Sequence, residues 1–294
     1  MKQDTPGQVR WEIVTPAKAN RWLENVAANR GVNDAYVRLL ANEIRERRFV
    51  PNGETIKFYD DGRLFDGQHR LWAVIEADQS VQMLTVHGLM SDATLQYTTD
   101  VGRKRSLADA LKMRDEHEVT TLAAATALQW RFINGQITQY NVSPSIGQAL
   151  DVLERHPGLR RAVTEAQSLR RHFAFRPTLL AWGLYVMDTI SGGMDDLDDD
   201  TGLRFWEGFA KGNDLSLTDP RYHLRERVLL EQRTPRMRLA PTYMLALVIK
   251  AWNAWGTGDP MKNLRWRRSG DTPEAFPELY GRPVLEEIGW FKEE

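Results

Sequence analysis

Cysteine is absent from all 294 residues, which removes disulfides, thiolate metal sites and thiol chemistry together. Long apolar runs are absent too. The two longest, residues 178–187 and 239–249, fall well short of the roughly 20 residues that a membrane-spanning helix needs. The first twelve residues, MKQDTPGQVRWE, hold no apolar signal core, so a cytoplasmic protein kept in a reducing compartment is expected. Nor does either charge prevail: 39 Lys and Arg face 40 Asp and Glu, so net charge by itself attracts neither nucleic acid nor an anionic membrane surface.

What is present is the material of a folded chain. Hydrophobic residues make up 42% and charged residues 27%, a balance that excludes wholesale disorder. Ten Trp, ten Phe and eight Tyr supply large side chains for a core. The charges fall in blocks. Residues 188–219 carry nine acids against two bases, and residues 221–268 carry eleven bases against three acids. The tail, residues 271–294, has seven acids against two bases. Blocks of alternating sign either pair inside the fold or leave a basic face that collects phosphate.

Residues 9–90 read as a compact α/β unit. Strands are predicted at residues 9–14, 54–59, 63–65 and 81–86, and helices at residues 15–28, 33–48 and 68–77. Asp60-Asp61-Gly62 is a hairpin turn between the second and third strands. Beyond residue 91 the pattern turns helical. Ser106 and Asp109 make a capping box, and further helices are predicted at residues 120–132, 145–155, 159–172, 177–190, 202–211, 220–231 and 241–255. The fold class is therefore α+β: a small mixed domain over residues 1–95 and a larger all-α domain over residues 96–294, with a basic segment at 221–268.

The segment Asp66-Gly67-Gln68-His69-Arg70 carries most of the chemical information. A strand ends there and a helix begins at once. The first amides of a helix lack internal partners and sit at the positive end of its dipole, a natural seat for phosphate. Gly67 allows close backbone approach, and Gln68, His69 and Arg70 add donors, the last a planar fork suited to phosphate oxygens. Asp66 either caps the turn, orients His69, holds a metal or accepts a proton.

This run resembles the ParB/sulfiredoxin-like superfamily, and within it the DGQHR-motif proteins of actinobacteria and their phages. The partition-protein box G-E-R-R-x-x-A falls on residues 67–73, keeping Gly67, Arg70 and Ala73. The resemblance covers residues 9–90. It implies a nucleotide of the ATP or CTP class, with Mg²⁺, held by Gly67, Gln68, His69 and Arg70. It also implies Asp66, His69 or Glu54 as acid or base should a phosphoryl group be transferred or hydrolysed. Two departures matter. Sulfiredoxins use a cysteine where Gln68 stands, which excludes their reductase chemistry. Partition proteins that respond to CTP have Glu and Arg in place of Gln68 and His69. Those proteins also carry a helix-turn-helix, for which residues 137–153 are the nearest candidate.

Arg103 and Arg105 precede the Ser106 cap and either reach the nucleotide or form a solvated turn. Arg265, Trp266, Arg267 and Arg268 mix cations with a flat ring, a combination that neutralises phosphates and stacks bases. DNA is the partner expected for that segment, and a homodimer is left open. The expected function is a nucleotide-binding protein of NTPase or phosphotransferase type acting in a DNA-related process. The alternatives are a non-catalytic DNA-binding regulator with a nucleotide switch, and a ParB-like nuclease. The motif lacks the carboxylate cluster that a two-metal nuclease requires.

Overall fold

The computed structural model describes residues 7–26, 31–91, 105–193, 200–234, 239–270 and 272–291. The chain divides into two compact units, residues 1–104 and 105–294.

The N-terminal unit holds four strands, β1 (Gln8–Val14), β2 (Thr55–Tyr59), β3 (Leu64–Asp66) and β4 (Val81–Leu89), and three helices, α1 (Pro16–Leu23), α2 (Asp34–Arg45) and α3 (Gln68–Ala77). Each begins where local chemistry dictates. Thr15 caps α1 ahead of Pro16, and the Asn33 side chain accepts from the Tyr36 amide at 3.1 Å to start α2. The sheet order is β1-β4-β2-β3. β4 lies antiparallel to β1 and parallel to β2, and β3 closes a hairpin against β2. Ile56, Phe58, Leu64 and Met83 from the strands meet Ala19, Ala41, Ile44, Leu71 and Val74 from the helices in one buried cluster. A register shift in β2 between Lys57 and Phe58 brings Lys57 opposite Asp66. Strand alternation keeps Lys57 out of that core.

The C-terminal unit is all helix among its described residues: α4 (Leu107–Lys112), α5 (Val119–Ile133), α6 (Ile146–Arg155), α7 (Leu159–Arg170), α8 (Pro177–Ser191), α9 (Thr201–Lys211), α10 (Pro220–Arg233), α11 (Pro241–Gly256) and α12 (Arg282–Glu287). The capping box at Ser106 and Asp109 forms, as does a second one from Ser145 to Gln148. The two longest apolar runs of the sequence became α8 and α11, which bury residues around most of their circumference. Helices that are apolar all round must be enclosed by others. α8 packs against α5, α7, α9 and α12. No helix among the described residues is long and apolar enough to cross a membrane.

The proposed helix-turn-helix does not form. Residues 134–145 are turns and irregular backbone, and a single helix, α6, starts only after the Ser145 cap. The short helix α12 was not anticipated. Its six residues are too few for a readable period.

Candidate functional site

Asp66 ends β3, Gly67 stands at the N-cap of α3, and Gln68 opens the helix. Gly67 has φ 108°, a left-handed value that L side chains rarely adopt. A Cβ there would lie 2.5 Å from Ile56 Cδ1. The glycine is thus required by the packing of the turn onto β2, whatever else approaches it. The N-cap glycine has no side chain with which to cap α3, and no acid lies in its first turn.

The neighbouring helix start lies close by. The Asn33 amide donates to His69 Nε2 at 3.0 Å, and Tyr36 sets its edge against the His69 ring with centroids 5.5 Å apart. His69 therefore links the N-termini of α2 and α3. Its Nε2 accepts a hydrogen bond here. Asp34 already places a carboxylate in the first turn of α2, so α3 is the better of the two anion seats.

Arg70 is the main correction. A guanidinium facing a ligand phosphate was expected. Instead Nη1 donates to Glu54 Oε2 at 2.9 Å, and Nη2 donates to the Thr55 carbonyl at 2.8 Å and Asp66 Oδ2 at 3.4 Å. Its side chain is only 16% exposed. Lys57 Nζ also donates to Asp66 Oδ2, at 3.0 Å. Two cations and two carboxylates thus cancel along the β2–β3 edge. Asp66 caps nothing and is turned toward Lys57 and Arg70. Glu54, expected as a base, is paired with Arg70. Sequence reading missed Lys57, Asn33 and Tyr36. The hairpin turn was the signal available for Lys57, because folding the two strands back on each other brings it near Asp66. The contact between Asn33 and His69 spans 36 residues and had no local signature.

These donors do not fit a preformed Mg²⁺ site. Among the described residues no group of three His, Asp or Glu side chains could hold a metal ion, and both carboxylates near Gly67 are already in ion pairs. Gln68 is buried. Arg103 lies outside the described residues, and Arg105 is an exposed residue at the start of the C-terminal unit.

Part of the basic segment is engaged within its own unit. Arg221 pairs with Asp219 at 2.7 Å and lies 3.7 Å over the Trp255 ring. Arg225 donates to the Phe209 and Ala210 carbonyls at the end of α9. Glu274 takes Lys250 at 2.8 Å and Arg267 at 2.9 Å. Trp266 was expected to stack bases, yet its indole N–H donates to the Glu274 and Ala275 carbonyls. Its ring packs edge-on against Phe276 at 5.5 Å. Arg268 lies 5.8 Å over that ring. Arg265 and Arg268 are exposed and form no ion pair with a described residue. Alternation of charge between blocks therefore served internal pairing first.

No protein-family model, curated protein or solved structure matches this chain.

Proposed function

We propose that the N-terminal domain binds the phosphates of a nucleotide, of the ATP or CTP class, at the start of α3, and that the protein acts as a nucleotide-responsive regulator in a DNA-related process. The observation that carries this reading is a helix that begins directly behind a left-handed glycine N-cap and has no first-turn acid. The resemblance of residues 66–70 to the ParB/sulfiredoxin-like motif points the same way. Binding is favoured over phosphoryl transfer because Asp66, Glu54 and His69 Nε2 are each engaged with a partner. Arg70 can still contribute. Glu54 is 65% exposed, and ion pairs at such positions are worth only about 0–1 kcal/mol. Nη1 can therefore exchange onto a phosphate oxygen while Nη2 stays on Thr55 and Asp66.

Thermal shifts with ATP, ADP, CTP, GTP and inorganic phosphate, each with and without Mg²⁺, test this. At least one nucleotide should stabilise the protein. Glu54→Gln, which releases Nη1, should raise that affinity, and Arg70→Ala should abolish the shift. Unchanged melting across the whole panel defeats the reading. Steady release of phosphate that disappears in Asp66→Asn would restore the expected NTPase activity.

A further inference from the structure

The C-terminal unit contains a cavity of about 950 Å³ that the function above does not use. It opens between the end of α5, the starts of α8 and α11, and the last turns of α10. Most of its wall is apolar, with Leu128, Phe175, Leu179 and Val228 among its residues. Into this wall is set Arg131, which is only 7% exposed.

Buried arginines are normally matched by a carboxylate, because an uncompensated charge in low dielectric is costly. Among the described residues Arg131 has no such match. Its Nη1 reaches the Val142 carbonyl at 3.3 Å, and its Nε is buried with no hydrogen-bond partner. The guanidinium lies 4.8 Å over the ring of Tyr140, whose hydroxyl is likewise buried and unpartnered. Burial pulls the Arg131 pKa down and pushes that of Tyr140 up, each partly offset by the other and, for Tyr140, by Arg176 as well. The other charges in the wall cancel. Arg176 is paired with Glu231, which also accepts from the Leu239 amide at 2.9 Å.

The helix starts add to the same sign. α8 and α11 both open with proline and carry no side-chain cap. Pro177, Thr178 and Leu179 of the first, and Pro241 of the second, line the cavity. Their dipoles place partial positive charge on its wall.

We infer that this cavity is a binding site for a small amphiphile with an anionic oxygen head group, carboxylate or phosphate, on an apolar body. The head is held by the Arg131 guanidinium beside Tyr140, near the starts of α8 and α11, and the body fills the space among Leu128, Phe175, Leu179 and Val228. A cavity of this size, apolar with a few convergent donors, has the form of a small-molecule site. The inference does not depend on the nucleotide reading of the other unit.

The full-length protein titrated with octanoate, octyl phosphate and 1-octanol provides the test, by calorimetry and thermal shift. At least one of the two anions should bind more tightly than the alcohol, and the better anion identifies the head group. Arg131→Met should weaken that anion by about tenfold or more, the scale of a lost charged hydrogen bond, while leaving the alcohol unchanged. Without ligand, Arg131→Met should melt at or above the wild-type temperature, because it removes an unmatched charge; an arginine that only braced the fold would show the reverse. Tyr140→Phe, which deletes a single oxygen, should weaken the anion less and leaves the test open should the methionine variant misfold. Equal affinity of wild type for anion and alcohol, no binding of any probe, or an anion preference that survives Arg131→Met would overturn the site.

Discussion

At Gly67 a single missing Cβ holds the N-terminal domain together. The residue combines φ 108° with an approach to Ile56 that leaves no room for a methyl group. Gly67→Ala is expected to destabilise the protein by about 1–3 kcal/mol through strain and overpacking. Urea unfolding of the two proteins measures this, and matching midpoints would show that the turn relaxes freely. Its neighbours show the limit of reading a motif. D-G-Q-H-R names residue types in order and says nothing of where each side chain turns. Arg70 and Asp66 were assigned to a ligand from that order. In the fold they face Glu54 and Lys57, brought to them by the pairing of β2 and β3.

Among the elements, the helices were the most legible part of the chain. Ser106 and Ser145 caps, prolines at the first turn and a 3.6-residue apolar period are all local signals, and each predicted helix formed near its place, although the first stops at Leu23, short of its expected end at residue 28. The four strands and the hairpin turn at Gly62 also followed from local pattern. Charge along an element proved a poorer guide. The excess of base at residues 221–268 suggested a phosphate-binding face, yet Arg221, Arg225, Lys250 and Arg267 are spent on carboxylates and carbonyls of the same unit. DNA binding by the run 265–268 would draw on the exposed Arg265 and Arg268, with Arg267 exchanging from Glu274. If it occurs, replacing Arg265, Arg267 and Arg268 together by alanine should weaken duplex binding and flatten its dependence on salt by up to about three phosphate contacts. Mobility shifts at two salt concentrations read this. Wild-type affinity in the triple variant would remove the segment from consideration.

On the scale of the whole molecule, two buried groups set how the protein responds to acid. In the N-terminal unit Glu12 is mostly buried, which alone would raise its pKa. Hydrogen bonds from Lys18, Thr85 and His87 outweigh that and hold it at about 2, against 4.5 for a free glutamate. The stabilisation is complete above pH 4.5 and is lost as pH falls toward 2. In the C-terminal unit burial, reinforced by Arg155, lowers His156 to about 4 from 6.5. The ring is packed by Trp290, with Tyr185 Oη 3.0 Å from Nδ1. Here the unfolded chain takes up the proton first, so stability falls as pH drops from 6.5 to 4. Each window is worth up to roughly 3 kcal/mol, at about 1.4 kcal/mol per pH unit. Hydrogen exchange followed by mass spectrometry should show α6–α8 losing protection at milder acidity than α1–α3. His156→Gln should remove the slope between pH 6.5 and 4, and an unaltered slope would assign it to other groups.

Sequence alone determined the absence of thiol chemistry, the α+β class, the order of the elements and the place where a strand gives way to a helix behind a glycine, because all of these depend on composition or on neighbours within a few residues. Tertiary structure decided which charges meet. Lys57 and Asp66, Glu54 and Arg70, and Asn33 and His69 come together through strand register and helix packing over separations of 9 to 36 residues. The same long-range packing left Arg131 at a cavity with no carboxylate among the described residues paired to it. A local pattern specifies a side chain and its backbone; what answers that side chain's charge is settled only when distant segments are brought into contact.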